Sequence, residues 1–181
     1  MNKQIAIFCG SSIGVDPIYQ ASAHEVGRKL VANKYDLIYG GGSIGLMGIL
    51  ADEVLSLKGQ VTGVITEKLH AWEVGHNSLT KLHIVKTMHE RKALMANLSD
   101  AFIAMPGGIG TLEEITEIIT LLQLGYHQKP CGILNVSGYF DTLISFLDQM
   151  VSQGFSTVKS RNLIFIESNI DNLLSKMLIN N

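Results

Sequence analysis

The stretch Ala101-Phe-Ile-Ala-Met-Pro-Gly-Gly-Ile-Gly-Thr-Leu-Glu-Glu114 joins an apolar run to a glycine-rich turn and then to a helical pattern. Residues 101–105 predict a buried strand, and the residues after about Thr111 predict a helix. Gly107, Gly108 and Gly110 let the backbone approach an anion, while the start of the helix offers unpaired N–H groups and a positive dipole end. The stretch therefore predicts a strand, loop and helix that together bind phosphate.

The same unit recurs along the whole chain of 181 residues. Strands are predicted at 5–9, 37–39, 61–66, 83–85, 101–105, 131–136 and 163–166. Helices are predicted at 17–32, 46–58, 88–98, 112–124, 139–153 and 170–178. Because the strands are continuously apolar and alternate with helices, they predict a parallel sheet covered on both faces. The expected fold is a doubly wound, Rossmann-like α/β domain of about seven strands spanning residues 1–181.

Ligands of such sheets bind beyond the carboxyl ends of the strands. The loops 10–12, 40–45 and 106–111 all fall there, so Ser12, Gly41 and Gly42 are candidate binding residues. The segment 67–80 has no clear pattern, and an irregular stretch of that length predicts a functional loop or a lid.

Net charge, apolar runs and the positions of cysteine and histidine argue against several classes of function. The net charge is -2 with scattered cations, which argues against a nucleic-acid partner. No apolar run is long enough for a membrane span or a signal segment, so we expect a cytoplasmic protein with no membrane partner. Cys9 and Cys131 lie in strand-like runs, which predicts buried, reduced thiols, and the six histidines have no spacing typical of a metal site.

The second glycine cluster, Gly40-Gly-Gly-Ser-Ile-Gly45, satisfies the G-x-G-x-x-G pattern of NAD-binding proteins, with Glu67 at a suitable distance for a ribose contact. However, the cluster follows the second predicted strand rather than the first. Glycines required for a tight turn and close helix packing, or contact with a mononucleotide, are the alternatives.

Thr87 and Glu90 fit a capping box at the start of a helix, and Arg91 and Lys92 follow at once. Cations near a helix N-terminus are unfavourable unless an anion lies nearby, although a solvated pair is the simpler alternative. Thr111 and Glu114 also fit a capping box, so Glu114 either caps its helix or has a chemical task.

A phosphate-binding loop, a carboxylate and a guanidinium together suit cleavage of the N-glycosidic bond of a phosphorylated riboside. That reaction passes through a sugar with oxocarbenium character. Glu114 would stabilise the cation and orient or deprotonate the attacking water. Arg91 is a poor proton donor and would position Glu114 and neutralise phosphate charge.

The motifs Met88-His-Glu-Arg-Lys92 and Pro106-Gly-Gly-Ile-Gly-Thr-Leu-Glu-Glu114 resemble the LONELY GUY (LOG) family of cytokinin riboside 5'-monophosphate phosphoribohydrolases. Further matching segments are Phe8-Cys-Gly-Ser-Ser12, 39–45, Ser99-Asp-Ala-Phe102, Gln123-Leu-Gly125 and Leu134-Asn-Val136. The resemblance implies hydrolysis of an adenine-type nucleoside monophosphate, such as a cytokinin riboside monophosphate or AMP, to free base and ribose 5-phosphate, without a cofactor or metal. It also implies a homodimer with the site near the subunit junction.

The resemblance assigns the essential catalytic roles to Arg91 and Glu114. Residues that it associates with nucleotide binding are Glu73, Lys92, Gly108, Ile109, Gly110, Thr111 and Thr120. We expect Gly107, Gly108, Gly110 and Thr111 to hold the 5'-phosphate through backbone N–H and hydroxyl groups, and Met88 is a further candidate binding residue. Leu121 stands where many relatives have Trp, so base stacking or pocket depth is expected to differ. Two other hypotheses are a non-catalytic nucleotide or cofactor carrier of similar fold and an NAD-dependent oxidoreductase.

Overall fold

Strands and helices alternate along the computed structural model, which describes residues 2–73, 75–76 and 78–178. The strands are β1 (Lys3–Phe8), β2 (Tyr35–Tyr39), β3 (Val61–Thr66), β4 (Lys81–Val85), β5 (Ala101–Ala104), β6 (Cys131–Leu134) and β7 (Ile164–Glu167). The helices are α1 (Pro17–Ala32), α2 (Gly45–Ser56), α3 (Glu67–Glu73), α4 (Met88–Leu98), α5 (Ile109–Gln123), α6 (Asp141–Ser152), α7 (Val158–Arg161) and α8 (Ile170–Leu178).

The seven strands form one parallel sheet in the order β4-β3-β2-β1-β5-β6-β7. The predicted doubly wound fold is confirmed, because helices cover both faces of the sheet. Alternate residues of β1 show this division: Ile5 and Ile7 pack with α1, α2 and α8, whereas Ala6 and Phe8 pack with α4 and α5.

The chain winds outward from β1 to β4 and then returns through α4 to β5, which lies on the other side of β1. This reversal opens a crevice between the carboxyl ends of β1 and β5. The loops that follow these two strands are joined there, since the N–H of Gly10 donates to the carbonyl oxygen of Pro106 at 3.0 Å. The topology therefore places the glycine-rich stretch beside the first loop of the chain.

Two sequence expectations about local structure were wrong, and one short helix was not anticipated. The segment 67–80 is not irregular throughout, because it begins with α3, where the hydroxyl of Thr66 accepts the N–H of Leu69 at 3.2 Å. The short helix α7 was not anticipated. Helix α5 begins at Ile109, with Gly108 as its N-cap, so Thr111 is inside the helix and the proposed Thr111–Glu114 capping box is absent.

Within the described part of the chain, no helix is both long and apolar enough to cross a membrane. Cys9 and Cys131 are buried free thiols, as predicted.

Candidate active site

Arg91 and Glu114 meet in the crevice between β1 and β5. Nη1 of Arg91 lies 3.1 Å from Oε1 of Glu114, with the two side chains only 8% and 12% exposed. The same guanidinium donates to two backbone carbonyl oxygens, through Nε to Val64 at 2.9 Å and through Nη2 to Gly40 at 3.3 Å. These contacts fix the orientation of the guanidinium, and it in turn fixes the carboxylate.

Helix α4 presents Arg91 to the crevice because its start is securely capped. The hydroxyl of Thr87 accepts the N–H of Glu90, and the Glu90 carboxylate accepts the N–H of Thr87, which confirms the predicted capping box. Arg91 and Lys92 are not a solvated pair. Lys92 forms ion pairs with Glu113 and Glu117 of α5, so side-chain carboxylates supply the anions that the sequence called for.

A cavity of about 330 Å³ opens at this pair. Its walls are formed by Cys9, Gly10, Ser11, Met47, Leu69, Arg91, Gly108, Ile109, Gly110, Thr111 and Glu114. We call it the front cavity. It is large enough for a small phosphorylated ligand and contains the start of α5 together with both residues predicted to be catalytic.

The first turn of α5 has unoccupied space beside it. No side chain caps the helix, and a methyl group added at Gly108 or at Gly110 would meet nothing within 4 Å. Gly107 differs, since an added Cβ would collide with the hydroxyl of Thr111 and lie 2.8 Å from the nitrogen of Gly10. Gly107 is therefore required for loop packing, whereas Gly108 and Gly110 keep the first turn of the helix open to an anion.

Tyr139 supports this loop from the other side. Its hydroxyl donates to the carbonyl oxygen of Gly107 at 2.6 Å, and its ring contacts Tyr19 edge to face. A second cavity of about 280 Å³ lies here and includes Ser12 and Gly107 in its wall. It shares Gly10, Ser11 and Gly108 with the front cavity, so the two adjoin.

Burial controls the ionisation of the carboxyl group in the front cavity. Loss of solvation raises the pKa of Glu114 above its ordinary value, and the charge of Arg91 partly opposes that rise. Burial, with a smaller contribution from Glu114, also raises the pKa of the Cys9 thiol far above its usual range. Cys9 is consequently a protonated, uncharged part of the cavity wall.

The glycine run at 40–45 serves packing. A Cβ at Gly45 would collide with the backbone of Ser11, and one at Gly40 would collide with the guanidinium of Arg91. Gly41 and Gly42 contact the segment 75–76, through the N–H of His76 to the Gly41 carbonyl oxygen and through a bridge from Gly42 to Gly75. These contacts favour the packing interpretation over the NAD-binding one, and neither Gly41 nor Gly42 lines the front cavity.

Several predicted binding residues lie apart from the front cavity. The hydroxyl of Thr120 donates to the carbonyl oxygen of Thr116. Thr120 follows Thr111 by nine positions in α5, a distance of about 14 Å along the helix. Met88 is partly exposed at the start of α4, and Lys92 faces α5. Glu73 ends α3, but its side chain is outside the described part of the structure.

Sequence reasoning missed Leu69, Met47 and Tyr139 as residues of this region, whereas Ser11 lies in the predicted loop 10–12. Leu69 was missed because α3 is too short to show a periodic pattern, although Thr66 was an available N-cap signal. Within the described residues, no group of three or more His, Cys, Asp or Glu side chains is placed to hold a metal ion.

The fold and the crevice define a Rossmann-like α/β protein with a buried acid–guanidinium pair beside an open helix N-terminus. Residues 47–177 match the family described as "Possible lysine decarboxylase". The chain is 46% identical over 175 residues to the probable cytokinin riboside 5'-monophosphate phosphoribohydrolase LOGL2 of Oryza sativa subsp. japonica, covering 97% of this chain and 72% of that protein. It is 45% identical to LOG7 of Arabidopsis thaliana, covering 97% and 81%. The chain belongs to this LOG family of phosphoribohydrolases.

Solved structures of more distant proteins share the fold. The molybdenum cofactor carrier protein of Chlamydomonas reinhardtii is 16% identical with a TM-score of 0.73, and all of both chains is covered. The molybdenum cofactor binding protein of Rippkaea orientalis is 19% identical with a TM-score of 0.72, covering 97% of this chain and 95% of that one. At these identities the likeness establishes the architecture alone.

A lysine decarboxylase would need pyridoxal phosphate, which a lysine holds as a Schiff base. The described residues of the front cavity include no lysine, and Lys92 is paired with Glu113 and Glu117. The site does not fit that cofactor.

Proposed function

We propose that this protein hydrolyses the N-glycosidic bond of adenine-type nucleoside 5'-monophosphates, cytokinin riboside monophosphates or AMP, to free base and ribose 5-phosphate. The observation that carries the proposal is the buried contact of Arg91 with Glu114 in a cavity that also contains the open N-terminus of α5. In the proposed reaction, the N-terminus of α5 binds the phosphate of the substrate, and the Glu114 carboxylate acts on the attached sugar.

In this mechanism the 5'-phosphate binds the free N–H groups at the start of α5. Gly108 and Gly110 leave the space, and the helix dipole favours the negative charge. The ribose then lies toward Glu114, whose carboxylate stabilises positive charge developing at the anomeric carbon and accepts a proton from the attacking water.

Arg91 acts mainly by holding Glu114. Three of its N–H groups are used by Val64, Gly40 and Glu114, so the guanidinium is fixed before any substrate arrives. Its positive charge partly opposes the rise that burial causes in the pKa of Glu114, and it attracts the phosphorylated substrate.

The decisive test is chromatography of reactions with AMP, isopentenyl-AMP and adenosine. We expect both nucleotides to release base and ribose 5-phosphate, with adenosine much slower because it lacks the phosphate. Intact nucleotides after long incubation, together with tight binding in calorimetry, would support the non-catalytic carrier instead. Thermal protection by NAD but not by AMP would support the oxidoreductase.

We also infer that the functional unit is a homodimer. Large apolar side chains are exposed on the single chain, including Ile109 at the front cavity, at 83%, and Trp72 of α3, at 69%. Thr120 is too distant to reach the front cavity of its own chain, and a second copy of the chain could supply it. Light scattering coupled to size-exclusion chromatography tests this, with a monomer mass at assay concentration as the contrary result.

A further inference from the structure

A cavity much smaller than the front cavity also has Glu114 in its lining. It measures about 10 Å³ and is lined by Phe8, Lys92, Glu114, Glu117 and Ile118. We call it the rear cavity. Among the described residues, Glu114 alone lines both cavities, so the two cavities meet at this residue.

The rear cavity has about the volume that one water molecule occupies. A buried water needs a volume of roughly 10–15 Å³ and two to four polar partners. Three of the five lining residues, Lys92, Glu114 and Glu117, have side chains that end in a charged group. Glu114 and Glu117 are three residues apart on α5 and so share a helix face.

In the single chain, Glu117 is the most exposed of the three charged residues that line the rear cavity. Its side chain is 38% exposed, while Oε2 lies 3.0 Å from Nζ of Lys92. Glu114, at 12% exposure, has no comparable access. Lys92 is itself largely buried and holds the Glu117 carboxylate against the rear cavity.

The chemistry proposed for the front cavity leaves a proton on Glu114 while the reactants still occupy that cavity. When Glu114 takes a proton from the attacking water, the proton must leave before the next turnover. The charged and titratable groups that face Glu114 are Arg91 and Lys92 from α4, Glu113 and Glu117 from α5, and Cys9 after β1. The two cations and the buried thiol already carry their protons, and Glu113 does not line the rear cavity.

We propose that Glu117, reached through one water held in the rear cavity, is the exit for the proton that Glu114 accepts. This inference rests on the proposed hydrolase function. Glu117 acts through Glu114 and touches no substrate, and Lys92 keeps its carboxylate in place.

The steps balance as follows. The oxygen of the attacking water bonds to the anomeric carbon, and one of its protons passes to Glu114. The bond from the anomeric carbon to the base nitrogen breaks, and its electron pair stays on the nitrogen, which takes a proton from solvent. Glu114 gives its proton to the water in the rear cavity, that water gives one of its own to Glu117, and Glu117 releases it to solvent. One water is consumed in each turnover.

The test compares Glu117→Ala with Glu113→Ala in the full chain. Glu113 is a matched control because it is on the same helix and also pairs with Lys92, yet it does not line the rear cavity. The kcat and KM for AMP or isopentenyl-AMP, whichever the wild type cleaves faster, are measured in a bulky buffer at low concentration and again with added formate. Wild-type turnover is scored first, so a failure of the proposed function is separate from a failure of this inference.

We expect Glu117→Ala to lower kcat about tenfold or more with KM nearly unchanged, and formate to restore much of the rate. Glu113→Ala should keep its kcat and show no response to formate. If Glu117→Ala does not fold, Glu117→Gln keeps the shape and hydrogen bonding but cannot accept a proton, and it should lower kcat with an unchanged melting temperature. A Glu117 variant that folds and turns over within twofold of wild type, or a loss that formate does not relieve, overturns the proposal.

Discussion

Nη1 of Arg91 lies 3.1 Å from Oε1 of Glu114, although the two residues belong to different helices that follow different strands of the sheet. The contact exists because the chain reverses direction between β4 and β5, which brings α4 and α5 to the same face. A buried carboxylate held by a fixed guanidinium at a ligand crevice is suited to catalysis, and the first predictions concern this pair.

Replacing Glu114 with Gln should abolish catalysis while leaving the fold intact. The amide is isosteric and can still accept a hydrogen bond from Arg91, but it can neither accept a proton nor stabilise a cation. We expect kcat to fall by roughly 10²–10⁴-fold, measured as release of base from the nucleotide. Glu113→Gln, one position away on the exposed side, is the control and should keep most of its activity. Near-equal losses in the two variants would count against a special role for Glu114.

Replacing Arg91 with Ala should cost stability as well as activity. The change leaves the buried Glu114 carboxylate and the carbonyl oxygens of Val64 and Gly40 without their partner. Removing one member of a buried ion pair typically costs about 3–5 kcal/mol, and we expect a loss of that order in urea unfolding followed by circular dichroism.

The control for Arg91→Ala is Arg28→Ala, which breaks an exposed pair with Glu53. That change should cost no more than about 1 kcal/mol. Arg91→Lys keeps the charge but not the planar set of donors, so it should remain well below wild-type activity. A wild-type rate in Arg91→Lys would mean that charge alone suffices.

The pH dependence of the reaction should reflect the burial of Glu114. Because burial raises its pKa, the acid limb of kcat/KM should fall at a higher pH than an ordinary glutamate would give. Arg91 opposes this rise, so an Arg91 variant with residual activity should show its acid limb at still higher pH. An acid limb at the pKa of an ordinary, solvent-exposed glutamate would show that the base required for catalysis is exposed to solvent and is not the buried Glu114.

The raised pKa of Glu114 should also make the free energy of unfolding depend on pH. A carboxyl group whose pKa is higher in the folded than in the unfolded state favours folding below its unfolded pKa, and this contribution is lost as pH rises through the folded pKa. The free energy of unfolding of wild type, relative to Glu114→Gln, should therefore decrease from acidic toward neutral pH. Urea titrations of both proteins across that range provide the measurement.

The sequence was sufficient to predict the sheet, its parallel direction and the pair of motifs at the crevice, because these depend on apolar runs and glycine positions that are local. It could not decide between Glu114 as a cap and Glu114 as a chemical group. That choice depends on where α5 begins, and Gly108 as N-cap places Glu114 well inside the helix. Leu69 and Tyr139 reach the site through tertiary contacts that no local pattern records.

The three glycines of the loop after β5 should respond differently to a methyl group. In Gly108→Ala and Gly110→Ala the added methyl group contacts no atom of the protein, so the melting temperatures should stay near that of wild type. The methyl group would instead occupy the space proposed for the phosphate, so KM should rise. Gly107→Ala collides with Thr111 and should instead lower the melting temperature. Thermal denaturation and steady-state kinetics on all three variants separate these outcomes. An unchanged KM in both Gly108→Ala and Gly110→Ala would place the phosphate elsewhere.

Tyr139 should influence substrate binding without touching the reacting atoms. Its hydroxyl donates to the carbonyl oxygen of Gly107, which holds the loop that leads into α5. Tyr139→Phe keeps the ring contact with Tyr19 but loses this hydrogen bond, a net cost of about 0.5–1.5 kcal/mol. Because the loop positions the N–H groups expected to bind phosphate, we expect KM to rise several-fold with a smaller change in kcat. Tyr126→Phe, at an exposed site beyond α5, is the control. A fall in kcat at constant KM would instead assign Tyr139 to the chemical step.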